Sequence, residues 1–83
     1  MLTNKSTEKK LKSEQIIYQI IGKNIKSIRE KNGKTQQEIA DMCDFEKSTI
    51  SRIEAGRTNL TIKSLYKLST ALGVKIVDLV DIE

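Results

Sequence analysis

Isoleucine and leucine recur along this chain at intervals of three and four residues, and short polar stretches break the pattern. Ile17, Ile20, Ile21, Ile25 and Ile28 keep the spacing of a helix with one apolar face. Ser13 stands where a cap belongs, so the pattern predicts a helix over about 13–31. Asn32-Gly33 stops it, because both residues tolerate left-handed backbone. Upstream, MLTNKSTEKKLK is polar and aperiodic and reads as a mobile basic tail over residues 1–12.

Thr35-Gln36-Gln37-Glu38 has the form of a capping box, in which the Thr hydroxyl and the Glu carboxylate each satisfy a free backbone N–H. A short helix over about 36–43 follows, with Ile39, Ala40 and Cys43 on one face. Asp44-Phe45-Glu46 breaks the period. A second short helix, about 47–55, turns Ile50 and Ile53 inward, and Gly56 sits at its C-terminal stop. Arg57-Thr58-Asn59 reads as loop. Thr61 caps a helix over about 62–72 with Ile62, Leu65, Leu68 and Leu72 inward, and Gly73 ends it. A last helix, about 76–80, carries Ile76, Leu79 and Val80; the β-branched cluster Val74, Ile76 and Val77 also permits a strand there. The expected fold is all-α: a five-helix bundle forming one domain over 13–83. The expected core is Ile21, Ile25, Ile28, Ile39, Ala40, Cys43, Phe45, Ile50, Ile53, Leu60, Leu65, Leu68, Leu72 and Leu79, with Tyr18 and Tyr66 half-buried around it.

Composition narrows what such a bundle can do. Eighty-three residues suit one domain. One Cys without any His offers neither an internal disulfide nor a zinc site. General acid–base catalysis lacks its commonest residue, and no nucleophile, base or metal constellation stands out. No metal, cofactor, small-molecule ligand or enzymatic activity is therefore expected. Neither a signal peptide nor an apolar run of about 20 residues is present, which predicts a cytoplasmic protein without a membrane span. Lys and Arg number 15 against 11 Asp and Glu, a net charge of +4. Residues 1–34 hold nine basic and three acidic residues, and residues 35–83 hold six basic and eight acidic. The overall excess alone is weak evidence for an anionic partner, because a solvated surface explains it equally well.

The stretch TQQEIADMCDFEKSTISRIEAG is more specific. Two helices of about two turns are joined by a tight break, and Ala40 is small enough for the second to cross close over the first. The outward positions of the second are Lys47, Ser48, Thr49, Ser51 and Arg52, every one a hydrogen-bond donor. Ser and Thr are poor helix formers on a bare surface, so three of them on one face suggest a use. Such a helix fits a major groove, whose base edges present acceptors, an amino donor and the thymine methyl.

These residues give the chain its resemblance. IGKNIKSIREKNG, TQQEIA, STISRIEAGRT and LYKLSTALGV before IVDLV follow in the order and spacing of lambda-repressor/Cro (XRE-type) helix-turn-helix domains, over about residues 21–79. The resemblance implies double-stranded DNA as partner. It implies base reading by Lys47, Ser48, Thr49, Ser51 and Arg52, with Arg52 suited to bidentate contact with guanine. It implies phosphate contacts by Gln36, Arg57 and Lys63, aided by helix N-termini. Members often have Gly in the turn of the motif; Asp44 stands there instead and adds negative charge near the groove. The function implied is a transcriptional regulator of repressor or restriction–modification controller type, acting as a homodimer on a pseudo-palindrome. An antitoxin that also binds a toxin, or a protein-interaction adaptor, are the alternative readings. Glu38 is expected as a structural cap, Glu54 as partner of a nearby Arg, and Cys43 as an inert apolar side chain. Ile16 to Ile20 go round more than one face, and two readings stand open: packing on the C-terminal helix, or a subunit interface.

Overall fold

The computed structural model describes the backbone of residues 2–81 and the side chains of residues 14–81. Five helices follow in order: α1 Leu2–Lys31, α2 Gln36–Cys43, α3 Lys47–Glu54, α4 Ile62–Leu72 and α5 Ile76–Leu79. No strand occurs among the described residues, so 76–79 takes the helical option over the β-branched one. Here Asp78 decides locally: its carboxylate accepts the Lys75 backbone N–H at 3.0 Å and closes the first turn.

α1 begins at Leu2, well before Ser13, so Ser13 lies within a helix instead of capping one. The side chains of residues 1–13 lie outside the described part, and the expectation of a mobile basic tail falls there. The end of α1 is where the pattern places it. Gly33 donates to the Glu30 carbonyl and Lys34 to that of Arg29, which satisfies carbonyls the helix leaves free. Asn32 adds a long-range tie, donating from Nδ2 to the Leu72 carbonyl at 2.9 Å.

The capping box forms at α2. Thr35 Oγ1 accepts from the Glu38 N–H at 3.0 Å, and Glu38 Oε1 accepts from the Thr35 N–H at 2.8 Å. Asp44 ends the helix at φ 59°, ψ 42°, the left-handed conformation that Gly often supplies there. The Phe45 N–H then reaches the Ala40 carbonyl at 2.8 Å, and the chain is turned directly into α3.

The core comprises Ile21, Ile25, Ile39, Ala40, Cys43, Ile50, Ile53, Leu65, Leu68, Leu72 and Leu79. Burial of one such large side chain contributes about 1.5–3 kcal/mol. Ile28, Phe45 and Leu60, expected inside, are half-buried at its edge. Two further expectations fail. Ile62 is 73% exposed and Tyr66 63% exposed. They lie one turn apart on α4, on a face left open among the described residues. The Phe45 ring is instead covered by Lys67, whose Nζ lies 5.3 Å from its centroid.

Two glycines set the approach of α1 to α3. A Cβ on Gly22 would lie 2.6 Å from the Glu54 carbonyl oxygen and would overlap that of Ile53. One on Gly56, at φ +73°, would lie 2.7 Å from Gln19 Cα. Backbone therefore rests on backbone where α1 crosses the end of α3, and α3 is held at a fixed angle to the rest of the bundle. Asn24 locks the other side of α1, donating from Nδ2 to the Leu79 carbonyl at 3.0 Å and to that of Asp81 at 2.8 Å.

Candidate nucleic-acid interface

α3 divides by its 3.6-residue period into two faces. Ile50, Ile53 and Glu54 are buried. Lys47, Ser48, Ser51 and Arg52 are exposed, and Thr49 is half-buried. The structure thus brings all five expected base-reading residues onto one helix, with Ser48, Ser51 and Arg52 at the centre of the outward face and Lys47 and Thr49 at its edges. Arg52 Nη2 lies 3.5 Å from Thr49 Oγ1, a long bond that an incoming acceptor would readily replace. The outward face carries donors and no carboxylate.

The carboxylate of this helix is drawn inward. Glu54 Oε2 accepts from Arg29 Nε at 2.6 Å, and Oε1 accepts from Arg29 Nη2 at 3.1 Å and from Gln36 Nε2 at 2.9 Å. The remaining Arg29 nitrogen, Nη1, donates to the Lys34 carbonyl at 2.8 Å. Arg29 and Glu54 are both buried, at 8% and 7% exposure. The hydrogen bond to Glu54 pushes the Arg29 pKa up against the opposing effect of burial, so Arg29 remains cationic. This bidentate pair joins α1 to the end of α3, while Gln36 joins the start of α2 to the same carboxylate. A negative charge on the helix that would enter a groove is neutralised within the protein.

The expected phosphate contacts are placed less uniformly. Lys63 is exposed in the first turn of α4, and Arg57 is exposed in the loop after α3. Gln36, expected to be free for a phosphate, is half-buried and commits one amide N–H to Glu54. Its second amide N–H is the donor left for an outside acceptor. Asp44 and Glu46 are exposed on the turn between α2 and α3. Glu38 acts as the cap expected of it, and the Thr35 backbone N–H and hydroxyl hold its carboxyl below the usual range. Cys43 is 3% exposed. Burial pushes its thiol pKa up, which disfavours the reactive thiolate.

Sequence reasoning anticipated an Arg partner for Glu54 but did not identify it or place Glu54 inside. A signal was present: Glu54 follows Ile50 by four residues and Ile53 by one, so the helical period puts it on the apolar face. A carboxylate there requires a cation from another element.

Two short helices joined at a left-handed residue, the second showing a donor-rich outward face, define a helix-turn-helix DNA-binding protein. The family model described as Helix-turn-helix matches residues 25–79, and the chain belongs to that family of DNA-binding regulators rather than to any class of enzyme. It is 39% identical over 61 residues to an uncharacterised HTH-type transcriptional regulator, y4dJ, of Sinorhizobium fredii, covering 74% of this chain and 79% of the relative. It is 36% identical over 63 residues to the control protein C.BamHI of Bacillus amyloliquefaciens, covering 75% and 78%. The crystal structure of the restriction–modification controller protein C.AhdI from Aeromonas hydrophila has the same fold, with a TM-score of 0.73 at 24% identity over 75% of this chain and 94% of that one. Among the described residues no helix is long and apolar enough to cross a membrane.

Proposed function

We propose that this protein is a cytoplasmic, sequence-specific transcriptional regulator that binds a pseudo-palindromic operator as a homodimer. Each subunit sets α3 in the major groove, where Arg52 takes a guanine edge and Lys47, Ser48, Thr49 and Ser51 contact neighbouring bases or flanking phosphates. Arg57, Lys63 and the second amide N–H of Gln36 hold the backbone. The observation that carries this reading is the split of α3: five donors outward, and its one carboxylate turned in and bound by Arg29 and Gln36. Similarity to C.BamHI supports a controller type of regulator. Ile16, Ile17, Ile62, Tyr66 and Val77 are apolar side chains left exposed, and they offer surface for a second subunit.

Selection of bound sites from random duplex DNA tests this. The expected result is an enriched site with two half-sites about 34 Å apart, bound by a complex holding two chains. Absence of any enriched sequence overturns the specific-regulator reading.

A further inference from the structure

The sequence holds four asparagines, Asn4, Asn24, Asn32 and Asn59, and only Asn32 is followed by glycine. Two of them tie α1 to later helices. Asn24 Nδ2 donates to the carbonyls of Leu79 and Asp81, and Asn32 Nδ2 donates to that of Leu72, in the last turn of α4, at 2.9 Å. Asn24 precedes Ile25, whose branched side chain crowds the backbone nitrogen. Asn32 precedes Gly33, whose nitrogen no side chain shields. We propose that Asn32-Gly33 is a site of spontaneous deamidation, that the hydrogen bonds at the α1–α4 joint hold the reaction off while the chain is folded, and that conversion cuts that joint. The proposal goes beyond the operator reading and does not depend on it.

The reaction needs only water and hydroxide. Hydroxide takes the proton of the Gly33 backbone nitrogen, and that nitrogen attacks Cγ of Asn32. The new bond to Cγ forms, the Cγ–Nδ2 bond breaks, and Nδ2 takes a proton from water and leaves as ammonia. The resulting cyclic imide is opened by water on one side to aspartate, or on the other to isoaspartate, in which the main chain runs through Cγ. In the folded chain both reacting groups are held. The Gly33 N–H donates to the Glu30 carbonyl at 3.0 Å, and the Asn32 amide is fixed on Leu72. Both residues are exposed, so water and hydroxide reach them once the last turn of α1 opens. Either product carries a carboxylate, which accepts only and cannot donate to the Leu72 carbonyl. The charge falls from +4, with 15 basic and 11 acidic residues, to +3, with 15 and 12. Isoaspartate also lengthens the main chain two residues before Lys34, whose carbonyl accepts from Arg29 Nη1 at 2.8 Å. Arg29 holds Glu54 of α3, so the change at this turn is relayed to the seat of α3.

The test ages the full chain at mildly alkaline pH, folded in buffer and unfolded in urea, and maps its peptides by mass. Conversion should concentrate at Asn32, spare Asn24 and Asn59, and run at least about tenfold slower in the folded chain. Hydrogen exchange of the Gly33 amide should be slowed by a similar factor, because one opening governs both. Gly33→Ala has room for its methyl, with nothing within 4 Å, and should suppress conversion in urea while its positive φ lowers the melting temperature. Asn32→Asp reproduces one product and should lower the urea midpoint, since its carboxylate loses the tie and also opposes the dipole at a helix C-terminus. If Asn32→Asp does not fold, wild type aged in buffer and separated by charge supplies the same comparison. Equal rates in buffer and in urea overturn the protection. Equal conversion at Asn24, or none at Asn32, overturns the site. An aged or Asn32→Asp chain as stable as wild type overturns the consequence.

Discussion

Arg52 and Glu54 are two residues apart on α3 and face opposite ways, and their substitutions should separate cleanly. Arg52 is exposed and bonded only loosely to Thr49, so Arg52→Ala should leave thermal stability unchanged. It should cost about 1–3 kcal/mol of binding and relax preference at one base pair of the half-site, as read by repeating the site selection. Removal of Arg29 exposes the opposite behaviour. Arg29→Ala strands a buried carboxylate and should cost about 3–5 kcal/mol of stability, measurable by urea titration. The joint replacement Arg29→Met with Glu54→Leu removes both charges, so it should recover much of that loss while Gln36 is left without its acceptor.

Glu38 gives a residue-scale pH effect. Its folded pKa is depressed by the Thr35 N–H and hydroxyl. The sign follows: its contribution to stability is present above the unfolded Glu value of about 4.3, and is lost as pH falls through the lower folded value. Glu38→Gln keeps a side chain able to close the capping box but not its charge. The urea midpoint of this variant should therefore fall below wild type near neutrality, and the two should converge as pH drops below about 4.3 and through the folded Glu38 value. An unaltered acid limb would mean that other carboxylates carry it.

At the scale of elements, the crossing of α1 over α3 is the joint that sets the angle of α3, the helix proposed to read the operator. In an isolated helix, Gly→Ala stabilises by about 0.5–1 kcal/mol. At Gly22 the added methyl would meet the carbonyl oxygens of Ile53 and Glu54, which are backbone and cannot swing aside. Gly22→Ala should instead destabilise by about 1–3 kcal/mol, the range for overpacking. It should also weaken operator binding beyond its effect on folding, because α3 must tilt to make room. Denaturant unfolding and binding assays on folded protein distinguish the two effects. A gain in stability would show that the joint yields without cost.

At the scale of the whole molecule, charge is spread unevenly. The net basic excess belongs to residues 1–34, while residues 35–83, which contain α3, are net acidic. Under the proposed reading, specific contacts rest on a few cations, and the lysines upstream of Ser13 add sequence-independent attraction by their charge alone. Deletion of residues 1–12 should lower affinity and reduce the salt slope while the preferred site stays the same. A changed preference would refute that division of labour. Sedimentation should report twice the 9.4 kDa chain mass bound to one operator.

Much of this molecule was legible from the chain alone because the signals are local. Helical periods, the Thr35–Glu38 box and the left-handed stops at Gly33, Asp44, Gly56 and Gly73 depend on residues within one turn of each other. They settle where α2, α3 and α4 begin and end, and the spacing between them settles the helix-turn-helix. Periodicity says which residues share a face but not whether another segment covers it. Ile62 has the right spacing to be inside and is exposed, since nothing among the described residues lies over that face. Arg29 and Glu54 stand 25 positions apart, and Gln36 stands 18 from Glu54, so their shared site exists only once α1, α2 and α3 are packed. The bond of Asn32 to the Leu72 carbonyl has the same origin, since the two stand 40 positions apart. Local hydrogen bonds and helical period were sufficient for the elements and the motif, whereas the burial of a charge, the freedom of a donor and the tie on an amide were decided by the tertiary packing.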